Sequence, residues 1–188
     1  SIAACASDLA SSPGEEADKE VKRSLESTLA PGAEVSLPAT GQGLAVAGFS
    51  VELNATDTAA ALKGTVIRMT FDGRRTVEVP AGNFFGTGFS INSYRTRFTT
   101  ADTAGTLSSF WLMPFRDSCR ISIFNGAAES IGIRAQLTLT SYRWDNSSMH
   151  FGASWREYDN FEAAGSENTG GTGLHSDVTI AELKGKGV

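Results

Sequence analysis

The stretch Ile131-Gly132-Ile133-Arg134-Ala135-Gln136-Leu137-Thr138-Leu139-Thr140 decides the fold. Its odd positions are apolar, and from Arg134 onward its even positions are Arg, Gln and Thr. A period of two sends successive side chains to opposite faces of a pleated strand, so one face is buried and the other is wet. A half-buried strand of this kind needs a second apolar layer to cover it, and the rest of the chain supplies candidates for that layer.

Working outward, Cys119, Ile121 and Ile123 alternate with Arg120 and Ser122, and Ile67, Met69 and Phe71 alternate with Arg68 and Thr70. Ala45, Ala47, Phe49, Val51 and Leu53 alternate with small or polar residues. Residues 34–37, 76–79, 149–155 and 177–183 read as further extended runs, and residues 107–113 as a long apolar strand that buries Trp111. Asp72-Gly73 and Asn125-Gly126 are hairpin-type turn pairs. A set of about seven to nine strands with no helices between them makes an all-β, antiparallel β-sandwich of jelly-roll type.

The N-terminal segment reads differently. Ser12-Pro13-Gly14-Glu15 is a capping box with proline at the first helical position. Ala17, Val21, Leu25 and Leu29 recur every four residues, acidic residues load the first turns, and Pro31-Gly32 ends the run. This pattern predicts one N-terminal helix and two parts: residues 1–32 as a helical linker or appendage, and residues 33–188 as the jelly-roll domain.

Composition narrows the function. The chain has 188 residues, 40% hydrophobic and 20% charged, with a formal net charge of -5. A basic track for nucleic acid is missing. No run approaches the ~20 apolar residues of a membrane span. Cys5 and Cys119 are too few for a disulfide framework, and Cys119, inside an apolar pattern, reads as a small buried hydrophobe. His150 and His175 are the only histidines and stand at no ligand spacing from the cysteines, so no dedicated metal site is expected.

Three features bear on ligand binding. The loop Gly82-Asn83-Phe84-Phe85-Gly86-Thr87-Gly88 has no following helix to make a phosphate cradle. It reads as a bulged strand or tight loop that buries two aromatics, or as a ligand-facing loop that shows an amide and a ring. Trp111, Trp144, Trp155, Tyr94 and Tyr158 offer faces that match the C–H side of a sugar. Trp144 and Trp155, flanked by charges, are expected to be partly exposed. Among the carboxylates, Asp72 is explained by its turn, Asp117 by pairing with Arg116, and none forms a recognisable catalytic pair.

Three ordered motifs resemble glycoside hydrolase family 172. They are Phe71-Asp72-Gly73 with Val77-Glu78-Val79-Pro80-Ala81-Gly82-Asn83-Phe84-Phe85-Gly86, then Trp111-Leu112-Met113-Pro114-Phe115-Arg116-Asp117-Ser118, and Met149-His150-Phe151-Gly152-Ala153-Ser154-Trp155-Arg156-Glu157. The resemblance implies a jelly-roll subunit of a trimeric or hexameric homo-oligomer that is active on α-D-fructofuranosides or D-arabinofuranosides. It implies that the paired catalytic glutamates lie in a second jelly roll, so no catalytic residue is assigned here, and that the chemistry requires neither a metal nor an organic cofactor. The family usually has aspartate at the place of Asn83 and histidine at that of Gly152. The expected carbohydrate-contacting residues are Asn83, Phe85, Tyr94, Trp155 and Arg156. The alternative is a non-catalytic carbohydrate-binding, assembly or shell-forming module.

Overall fold

The computed structural model describes residues 20–157. In chain order the elements are β1 (Val21–Leu29), β2 (Glu34–Thr40), β3 (Leu44–Asn54), α1 (Thr58–Gly64), β4 (Thr65–Phe71), β5 (Arg74–Pro80), α2 (Ala81–Phe84), β6 (Tyr94–Arg95), β7 (Thr99–Ala101), β8 (Thr106–Ser109), β9 (Met113–Phe115), β10 (Ser118–Asn125), β11 (Ile131–Ser141) and β12 (Ala153–Ser154). One sheet has the order β1-β11-β3-β8-β7-β6, with β9 also paired to β3; the other has the order β12-β5-β4-β10-β2. Every pairing is antiparallel except β12 with β5. The chain passes from sheet to sheet at β1/β2, β2/β3, β3/β4, β5/β6, β9/β10, β10/β11 and β11/β12, the winding of a jelly roll. The compact unit ends at Trp155. Among the described residues no helix is long and apolar enough to cross a membrane.

The alternation behaves as expected in the central strands. Ile131, Ile133, Ala135, Leu137 and Leu139 are buried, as are Ile67, Met69 and Phe71 across from them in the other sheet. Cys119, Ile121 and Ile123 complete that inner face. Burial holds the Cys119 thiol up at about 12, with the nearby Asp72 charge adding to it, so the thiol stays protonated.

The N-terminal helix is corrected over the residues the structure describes. Val21–Leu29 is a strand, paired with β11 through nine consecutive registers from Val21↔Leu139 to Leu29↔Ile131. A spacing of four is a multiple of two as well as close to one helical turn, so Val21, Leu25 and Leu29 share a strand face too. Pairing with β11 decides between the two periods, because β11 leaves an open edge beside its own buried face. The capping box at Ser12 lies outside the described residues.

Two more expectations change. The apolar run at 107–113 is broken into β8 and β9, and Phe110, Trp111 and Leu112 bulge outward between them. Trp111 is 37% exposed rather than a core residue. Asn125-Gly126 is not a hairpin turn, because β10 and β11 belong to different sheets. Buried Asn125 instead braces the crossover, donating to the carbonyls of Leu29 and Glu129 and accepting from the Ala127 amide. Asp72-Gly73 is a hairpin turn, with φ of 49° and 79°. Of residues 149–155 only Ala153–Ser154 is strand, and residues 177–183 lie outside the described residues.

Amide exchange tests the corrected segment. An edge strand bonded on one side protects every second amide across 21–29. Protection of consecutive amides through Leu29 would restore the helix.

Candidate functional site

Where the chain turns from β9 to β10 it leaves three successive backbone N–H groups, at Arg116, Asp117 and Ser118, without ladder partners. The Asp72 carboxylate accepts all three: Oδ2 from Arg116 at 2.8 Å, and Oδ1 from Asp117 at 2.7 Å and Ser118 at 2.8 Å. The Asp72 amide donates back to the Ser118 carbonyl at 2.9 Å. The left-handed backbone of the β4–β5 turn aims the side chain at this turn, a conformation that aspartate tolerates better than most residues. Asp117 does not pair with Arg116 as the sequence suggested; its carboxylate accepts from Gln42 at 3.3 Å.

A fourth donor is His150, whose Nε2 lies 2.7 Å from Asp72 Oδ2. Desolvation works to raise the Asp72 pKa, but the three amides and the imidazole outweigh it and hold the carboxyl at about 2. Asp72 is therefore an acceptor at any ordinary pH, which places the His150 proton on Nε2 and leaves Nδ1 as the acceptor of the neutral ring. The ring is stacked on Phe71 at 5.9 Å and tilted against Trp144 at 5.0 Å.

The next residue extends this corner into a row of rings. The Phe151 carbonyl accepts from the Thr76 hydroxyl at 2.6 Å. The Phe151 ring meets Phe84 edge-on at 6.5 Å and Trp111 at 5.9 Å. Trp111 in turn lies flat on Phe98 at 3.8 Å and 5°, and Arg97 stands over the Phe98 ring at 5.5 Å. Two ring groups result, Trp144 against His150 and Phe151 against Trp111 and Phe98, both partly open to solvent and joined by the backbone at residues 150 and 151. Rings of this kind match the C–H face of a saccharide, and the imidazole matches a hydroxyl.

The residues expected to touch carbohydrate are spread apart. Phe85 is fully buried, stacked on Phe49 at 5.8 Å, so its ring offers no surface to a ligand. Tyr94 is half-buried and donates its hydroxyl to the Phe85 carbonyl, which pins the loop. Asn83 is exposed on α2. Trp155 is 38% exposed and has no ring or cation partner among the described residues, and Arg156 is exposed. The glycine-rich loop opens with the helical turn α2 rather than a bulged strand, and no helix follows it. Trp144 is half-buried, as the flanking charges suggested. A Cβ at Gly152 would meet only the Thr76 carbonyl, at 3.6 Å, so a side chain fits there. In the sequence His150 figures as a candidate metal ligand and as part of the third motif, and its partner lies 78 residues away. Among the described residues no group of three or more His, Cys, Asp or Glu is placed to hold a metal ion.

A family model described as GH172 domain-like matches residues 19–138, more than half of the chain. The chain belongs to this family. It is a glycoside-hydrolase-related domain, and β1, the hairpin carrying Asp72 and most of β11 lie inside the matched segment. No curated protein matches the sequence. Among solved structures, the chain is similar to Aeromonas hydrophila PliG, a periplasmic lysozyme inhibitor of g-type lysozyme, at 10% identity and a TM-score of 0.33, over 63% of this chain and 85% of that one.

Asp72→Ala leaves three turn amides and His150 without their acceptor and is expected to cost about 3 kcal/mol in urea unfolding. The charge contributes stability above the ordinary carboxylate pKa near 3.8, and that contribution is lost as pH falls toward about 2. Asp72→Asn removes this part of the acid dependence. An unchanged acid-unfolding profile in Asp72→Asn would show that the carboxylate does not hold the turn.

Proposed function

We propose that this chain is a furanoside-binding jelly roll of a glycoside hydrolase assembly, presenting a wall to the sugar while a further jelly-roll domain supplies the acid–base pair. The observation that carries the reading is the pair of partly exposed ring groups, Trp144 with His150 and Phe151 with Trp111 and Phe98, whose adjoining members are fixed by the Asp72–His150 and Thr76–Phe151 bonds. A pre-set aromatic wall loses little entropy when a sugar lies on it. Family membership makes a glycoside the natural ligand, and the resemblance to family 172 narrows it to α-D-fructofuranosides or D-arabinofuranosides. Self-association into a trimer or hexamer is part of the same proposal.

The state of the carboxylates supports a non-hydrolytic role for these residues. Glu26 and Glu52 both bind Arg134, at 3.3 and 2.9 Å. Glu34 and Glu78 both bind Arg68, at 2.5 and 2.9 Å, and Arg68 also covers the Phe124 ring. Asp57 caps α1, Asp102 and Asp145 close turns, and Asp72 is saturated by its four donors. A hydrolytic pair needs two carboxyls free to flank a glycosidic bond, and each of these is engaged with an arginine, a helix cap or a turn.

Calorimetric titration of the chain with methyl α-D-fructofuranoside and methyl α-D-arabinofuranoside tests the reading. Binding to at least one of them is expected, weakened several-fold in His150→Ala and Trp111→Ala, with no release of nitrophenol from a nitrophenyl arabinofuranoside. Absence of binding to either sugar, or cleavage by this chain alone, would overturn it.

A further inference from the structure

The loop after α2 holds one large apolar ring out in solvent, and it is built to keep it there. The Gly82 carbonyl accepts from both the Thr87 and Gly88 amides at 2.9 Å, and the Thr87 hydroxyl donates to the Ser90 carbonyl. The Asn92 side chain donates to the Ser90 hydroxyl at 2.8 Å. Gly86 and Gly88 take left-handed φ of 77° and 69°, and any Cβ on Gly82 would run into the Gly88 carbonyl. Phe85 on one side is fully buried and Ile91 on the other packs against the core. Between these anchors Phe89 is 71% exposed. A braced loop with anchored neighbours has no conformational reason to leave a phenylalanine in water.

Phe89 stands on a shallow, open cleft lined also by Thr56, Asp57, Thr58, Ser90 and Thr103. The hydroxyls of Thr56, Thr58 and Thr103 have no partner among the described residues. Asp57 uses Oδ1 to cap α1, accepting from the Ala60 amide at 3.0 Å. Asp57 is the one charged residue in the lining, so the cleft repels anions and suits a neutral, hydroxyl-rich ligand. One ring for a C–H face, beside several hydroxyls and a carboxylate for O–H groups, is the complement of a saccharide.

We infer that this cleft is a saccharide subsite in which Phe89 is the stacking platform and Thr56, Thr58 and Thr103 bond the sugar hydroxyls. It rests on the reading of the chain as a sugar-binding module, and its lining shares no residue with the two ring groups at Trp144–His150 and Phe151–Trp111–Phe98.

The test is a ¹H–¹⁵N chemical-shift titration of the full chain with the two methyl furanosides and with methyl β-D-glucopyranoside. Amides at 56–58, 89–91 and 103–105 are expected to shift for at least one of them. Phe89→Ala is expected to weaken the binding read at these amides about tenfold, and Phe89→Trp to keep it. Phe89 is exposed, so its truncation leaves the fold intact, which the unshifted remainder of the spectrum verifies. If sugar shifts amides elsewhere, and Phe89→Ala binds as the parent does, the subsite is wrong while the sugar-binding reading stands. If no sugar shifts any amide, both are wrong.

Discussion

Three backbone amides in a row, at 116–118, have to find an acceptor where the chain leaves one sheet for the other, and Asp72 is that acceptor. Unpaired N–H groups at such a crossing would cost the sandwich more than most side-chain contacts return. The carboxylate comes from the β4–β5 hairpin, so it ties that hairpin to the crossing and, through His150, to the segment that follows β11. The lowered pKa of Asp72 is the electrostatic signature of the same arrangement, with four donors facing one side chain.

That one side chain also explains why the aromatic wall exists in a defined place. His150 and Phe151 belong to a stretch with little secondary structure, and they are positioned by bonds to Asp72 and Thr76. Once they are set, Trp144, Trp111 and Phe98 have rings to pack on while part of their surface remains in water.

Much of the fold was legible because β3, β4, β10 and β11 alternate cleanly, and burial of one face is a strong and local constraint. β1 was misread because Val21, Leu25 and Leu29 satisfy both periods, and only the nine-residue pairing with β11 separates them. Trp111 was misread because an apolar run does not say where its strand will break. The site was less legible still. Asp72 looked sufficient as a turn residue, yet its main partners lie more than forty positions away in sequence. The glycine-rich loop was recognisable as unusual, but the burial of Phe85 depends on stacking with Phe49, a residue of a different strand far away in sequence.

The central claim is that residues 20–157 hold a sugar without cutting it. Soaking crystals of the chain with a nitrophenyl α-D-arabinofuranoside addresses this directly. The account predicts an intact glycoside lying against ordered rings of this domain, with its glycosidic bond unbroken. A cleaved or covalently attached sugar, or density for sugar at no surface of the domain, would contradict it.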